Sequence, residues 1–204
     1  MTAAAGALAL LTACGGGSAG STAGREGTSG GPAPATPVAT PVDTTSSARP
    51  SAAVNDADVM FAQMMIPHHE QAVEMAGLAA TRAGDPEIKQ LAARIKAAQD
   101  PEIRTMKGWL AAWGKPAADP GHGMDHEMPG VMSEEDMTKL RAATGRDFDK
   151  LFARQMIAHH EGAIEMARTE QARGADPEAR ELARAIETTQ RAEVAQLRKI
   201  LDRL

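Results

Sequence analysis

Two pairs of adjacent histidines, His68-His69 and His159-His160, have methionines close by. Met65 and Met75 flank the first pair, Met156 and Met166 the second. Imidazole and thioether together form a soft donor set. Methionine sulfur selects Cu(I) and, by the same softness, Ag(I), while neutral imidazole suits copper in either state. A third concentration lies between the pairs. His122, Met124, His126, Met128 and Met132 fall within eleven residues of a Gly- and Pro-broken stretch. Short His-rich tracts bind metal, and a loop of that composition has little need of thioethers for packing. Imidazoles of ordinary pKa would release a metal below about pH 6, where protons compete.

Other chemistries lack their residues. With one Cys, at position 14, the chain has no thiolate zinc site and no intrachain disulfide. The His-Glu-x-x-His of zinc hydrolases is absent. So is the Glu-x-x-His that a di-iron oxidase places on facing helices, which makes such an enzyme the least favoured reading. No nucleophile–base–orienter set and no phosphate loop can be read. A net charge of −5 speaks against a nucleic-acid partner. The expectation is therefore a metal-binding protein and not an enzyme, with copper as Cu(I), silver as the alternative ion, and no organic cofactor. The competing reading is a metal-free helical module that binds a protein or the cell wall, its histidines satisfied by hydrogen bonds.

The elements that must position these donors are helices. The 204 residues are 2% aromatic, with no Tyr, and are rich in Ala, Leu, Met, Glu, Arg and Gln, which favour helix. Residues 60–113 align without a gap on 151–204, at an offset of 91, with 21 of 54 positions identical. Each copy carries one His-His pair and, further on, an Asp-Pro-Glu (Asp85-Pro86-Glu87 and Asp176-Pro177-Glu178). Asp at the N-cap, Pro at the first helical position and Glu in the first turn start a helix. Each copy is thus a helix pair, and the spacing predicts main helices over 56–83, 86–112, 147–173 and 177–203, each about 40 Å long. The connection 114–146 contains one short helix from Ser133 to about Ala143, which Gly145 should end. Pro67 and Pro101 fall inside predicted helices, where each removes a backbone bond and favours a kink. An all-α four-helix bundle over 55–204, built from two tandem helix pairs, buries four such stripes.

At 100° per residue His68 lies at the centre of the apolar stripe formed by Phe61, Met64, Met65, Ala72 and Met75, and His159 has the same place in the second copy. His69 and His160 sit about 100° around. Glu70 and Glu161 fall on the far side, as solvated groups or as partners of the imidazoles. Both His-His pairs are near mid-helix, so two such helices in one bundle bring them to a common depth. A pseudo-two-fold site follows.

The N-terminal 54 residues differ in kind. Ala3–Leu11 is a short apolar run ending in Leu11-Thr12-Ala13-Cys14, which looks like a bacterial lipobox, with residues 1–14 as signal peptide and Cys14 as the lipidated mature N-terminus. No Lys or Arg precedes the run, which leaves room for a start codon upstream of Met1. Residues 15–54, rich in Gly, Ser, Thr and Pro, read as a disordered tether, with an r.m.s. span of roughly 35 Å. The expected location is outside the cytoplasm, lipid-anchored on the outer face of the cytoplasmic membrane or in the cell envelope. Thiols oxidise there, and His and Met are the sensible copper ligands.

The doubled signature Phe-Ala-x-x-Met-Ile-x-His-His-x-x-Ala-x-Glu-Met-Ala, with a Met/His-rich segment between its copies, resembles the DUF305 (CopM-like) family over residues 55–204. The resemblance implies a ferritin-like helical bundle, usually exported, that binds copper or silver for sequestration or handover. It points to Met65, His68, His69 and Met75, and to Met156, His159, His160 and Met166, as the metal-binding positions. Gln155 stands where the first copy has Met64, so the half-sites are expected to differ.

Overall fold

Four of the five described helix starts are set by side chains that accept from otherwise unpaired backbone N–H groups, Thr144 before the fourth helix making no such bond. Asn55 accepts from Ala57 and Asp58, while the Asp58 carboxylate reaches back to the Asn55 N–H at 2.7 Å. Asp85 and Asp176 each accept from two N–H groups of the following turn, with Pro86 and Pro177 at the first position. Ser133 accepts from Asp136. The result, in a computed structural model that describes residues 53–117 and 128–204, is five helices: α1 Asp56–Arg82, α2 Pro86–Ala112, α3 Glu134–Ala142, α4 Gly145–Arg173 and α5 Pro177–Arg203. The expectations for Cys14, the lipobox and the tether lie outside the described residues, as do those for His122, Met124 and His126.

Four long helices and no named strand among the described residues give the expected all-α architecture. Gly145 departs from expectation. It does not end the short helix but opens α4, two residues early, with φ at +59°, and its backbone bridges to Ala83. A side chain there would be strained. Pro67 and Pro101 are accommodated within α1 and α2, which run on through them.

α1 pairs with α2, and α4 with α5, as helical hairpins; α1 and α4 then meet antiparallel. Two aspartates lock their ends. Asp58, near the start of α1, accepts from Ala175 and Asp176 at the turn after α4, both at 2.9 Å. Asp149, near the start of α4, accepts from Gly84 at 3.1 Å and Asp85 at 2.9 Å in the turn after α1. These residues are also 91 apart, so each copy caps the turn of the other.

The core divides into two apolar clusters along the bundle. One gathers Met75, Ile88, Leu91, Phe148, Phe152 and Met156, and receives Met137 and Leu140 from α3. The other gathers Phe61, Met65, Met106, Met166 and Ile186.

Candidate metal centre

The antiparallel crossing of α1 and α4 follows from burying their two apolar stripes against each other, and the histidines sit at the crossing. His68 and His159 touch, with ring centroids 3.8 Å apart and planes inclined at 45°. The His159 and His160 rings are 6.3 Å apart. All four histidines have no solvent-exposed surface. The thioethers divide on either side: Met65 with Met166 in one cluster, Met75 with Met156 in the other. The structure thus brings the eight helical candidates into one stretch of the bundle, the imidazoles in the middle and a pair of buried methionines in each flanking cluster.

His69 and His160, a third of a turn around, face the outer helices. His69 Nε2 lies 2.8 Å from Glu102 Oε2 on α2. His160 Nε2 lies 2.8 Å from Glu193 Oε2 on α5, off the line of a good hydrogen bond. Glu102 and Glu193 are therefore the carboxylates beside the imidazoles. Glu70 and Glu161, considered for that place in the sequence, instead form surface ion pairs with Lys107 and Arg198, both at 2.6 Å. The signal for the true partners was present, since both are among the repeated positions. A wheel drawn for one helix, however, cannot say which residue of a neighbour stands opposite.

Hydrogen bonding fixes two tautomers. The Pro129 carbonyl, 3.1 Å from His68 Nε2, can only accept, so this nitrogen carries the proton and Nδ1 keeps its lone pair. The Glu102 carboxylate does the same for His69. Nδ1 of all four rings is buried with no hydrogen-bond partner, and His159 has none at either nitrogen. Orphaned lone pairs in a dry interior are costly, and their natural complement is a cation. Burial and the neighbouring His69 lower the His68 pKa to about 3, against the smaller opposing effect of the Pro129 carbonyl. Burial, then His68 and His160, hold His159 well below the ordinary imidazole range. These two rings stay neutral, and ligand-competent, far into acid. The threshold near pH 6 expected for ordinary imidazoles does not apply to them.

Among the described residues, no set of three or more His, Cys, Asp or Glu side chains is arranged to hold a metal by itself. Any ion here draws on few nitrogens and on sulfur, a donor set that fits Cu(I) or Ag(I) and not a hard cation.

Of the loop candidates, Met128 and Met132 are described, and packing occupies both. Met128 is buried. Met132 packs on the first cluster, and its backbone is clamped by Gln71 at 2.7 and 2.9 Å. The expectation that this stretch needs no thioethers for packing is corrected: the segment lies on the bundle as a strap. Gly130 has φ of +79°, and a Cβ on Gly162 would collide with the Pro129 carbonyl. Glycine at 162 is what lets the strap reach His68.

Comparison with known proteins agrees with this architecture. The family described as "Domain of unknown function (DUF305)" matches residues 58–201. A putative secreted DUF305 protein from Streptomyces coelicolor is 31% identical, covering 72% of this chain and 93% of its own, with a TM-score of 0.67. A DUF305 fragment from Deinococcus radiodurans is 32% identical, covering 74% and 99%, with a TM-score of 0.68. CopM in its Cu(II)-bound form is 35% identical, covering 72% and 96%, with a TM-score of 0.62, and CopM structures also exist with Cu(I) and with Ag bound. A search of curated proteins returns no match.

Proposed function

We propose that this chain, which belongs to the DUF305 family, is an exported protein that binds Cu(I), or Ag(I), at the crossing of α1 and α4 for sequestration or handover, without catalysing a reaction. The observation that carries this is the buried His68–His159 contact at 3.8 Å, with unpartnered Nδ1 atoms and methionine pairs in the clusters on either side. Neutral imidazole and thioether are soft, uncharged donors, and a low-coordinate monovalent ion asks for no more. His69 takes part with its tautomer set by Glu102, the usual way an outer carboxylate orients a ligand, and His160 takes part with Glu193 beside it at 2.8 Å. CopM, with copper or silver bound, supports the choice of metal. The Streptomyces coelicolor relative, described as a putative secreted protein, supports export, and Cys14 in a lipobox-like sequence carries the further proposal of a lipid anchor. No described helix is long and apolar enough to cross a membrane.

A competition titration with a Cu(I) chelator tests the reading, comparing the full chain with the double variant His68→Ala/His159→Ala. Affinity should fall by about 100-fold or more, the loss of two ligands. One observation favours the metal-free module instead: Glu102 already engages His69 at 2.8 Å, as in a satisfied structural histidine. Equal Cu(I) binding by both proteins, or none by either, would decide against the buried centre.

A further inference from the structure

The four histidines have no exposed surface, so an ion must first be caught elsewhere. Outside this layer the described surface holds one feature of matching chemistry. A cavity of about 410 Å³ opens between the first half of α1 and the second half of α4, with Met60, Met64 and Met166 in its wall. Met60 and Met64 are one helical turn apart and share a face of α1; Met166 comes from α4. Met60 is the one large apolar side chain strongly exposed among the described residues, at 58%.

The pseudo-symmetry shows that this opening is particular to one side. At the equivalent groove, formed by the start of α4 and the end of α1, helix α3 lies in place. Met137 and Leu140 are buried there in the cluster that holds Met75 and Phe152. Gln155, the counterpart of Met64, donates to the Asp136 carbonyl at 3.1 Å. Arg141 pairs with Glu74 at 2.7 Å. On the other side nothing among the described residues plays the part of α3, and the positions matching Leu151 and Gln155 are both methionine.

We propose that Met60 and Met64, together with Met166, which they share with the buried centre, form an entry site for a soft monovalent cation on its way to the histidine layer. This deepens the copper-binding reading and rests on it for the destination of the ion. Uncharged sulfur selects such an ion over Zn(II) or Mg(II). The charge is favoured by the surroundings: Asp56 and Glu165 line the cavity against one cation, Arg173. Glu170 also lines it but is only 1% exposed, and burial, with Asp58 beside it, raises its pKa to about 8, so it enters the cavity as a neutral carboxyl. Pro129 supplies the connection, since it walls the cavity and its carbonyl is bonded to His68. The cavity and the imidazole layer meet at one residue of the strap.

The full chain labelled with 13C at the methionine methyls tests the proposal, with Ag(I) as a redox-inert probe. The methyl resonances of Met60, Met64 and Met166 should shift on titration, and Zn(II) at equal concentration should leave them in place. The variant Met60→Leu/Met64→Leu keeps side-chain volume; it should lose one equivalent of bound Ag(I) and load the histidines more slowly. Unmoved Met60 and Met64 methyls at silver saturation, an unchanged stoichiometry in the variant, or an equal response to Zn(II) would overturn the entry site. The two readings separate in the variant His68→Ala/His159→Ala. Met60 and Met64 shifts that persist there, alongside histidine signals that never move in the wild type, would uphold the cavity and reject the buried centre.

Discussion

His69 lies as far from Glu102 as His160 does from Glu193, with 2.8 Å between nitrogen and oxygen in both. Asp58 and Asp149 likewise cap each other's turns. Elsewhere the halves diverge at matched positions. Gln71 clamps the strap, and its counterpart Gly162 gives the strap room. Met64 borders an open cavity, while Gln155 holds α3. Ala79 is plain core, whereas Glu170 is a buried carboxyl. The shared residues build the bundle and the imidazole layer, which need two-fold geometry. The divergent ones face the single connection between the copies, which can lie on the bundle in only one way.

The largest expected effect is on acid stability. His68 is neutral in the fold, with its pKa lowered to about 3, and gains a proton on unfolding below about pH 6.5. Its contribution is therefore present above pH 6.5 and lost as pH falls towards 3. From His68 alone, stability should drop by roughly 2 kcal/mol between pH 6.5 and pH 4.5, and His159 acts in the same direction. Urea unfolding across this range should show a loss that flattens to a similar extent in His68→Ala and in His159→Ala. Flattening in only one variant would break the equivalence of the halves.

Divergent positions should respond unequally. Gly162→Ala sets a Cβ against the Pro129 carbonyl and should cost about 3 kcal/mol. Gln71→Ala loses two hydrogen bonds to the strap and should cost about 1–2 kcal/mol. Chemical denaturation measures both, and a harmless Gly162→Ala would mean that the strap does not need its seat. The smallest effect sharpens the shared part. Glu102→Gln and Glu193→Gln should each weaken Cu(I) binding about tenfold with little change in stability. A marked difference between them would show that the off-line approach of His160 to Glu193 reflects unequal half-sites.

Helix limits were legible because capping is local: Asp85-Pro86 and Asp176-Pro177 announce α2 and α5 within a few residues. The central place of His68 and His159 was legible from periodicity, because a stripe that must be buried brings its middle residue to the contact. Misplaced readings concerned residues whose partners are distant in sequence. Glu102 is 33 positions from His69, and Met132 is 61 from Gln71; no periodicity relates them. Gly145 was misassigned because a glycine after a short helix reads as a stop until the turn it must approach, at Ala83, is known.

From the chain alone came the doubled helix pair, the helix starts and the donor types, since each depends on neighbours along one turn of backbone. The tertiary structure decided which imidazole touches which, which carboxylates lie beside them, and which groove α3 fills. Those depend on how each helix is rotated against the next, and packing sets that rotation only once all the buried faces meet together.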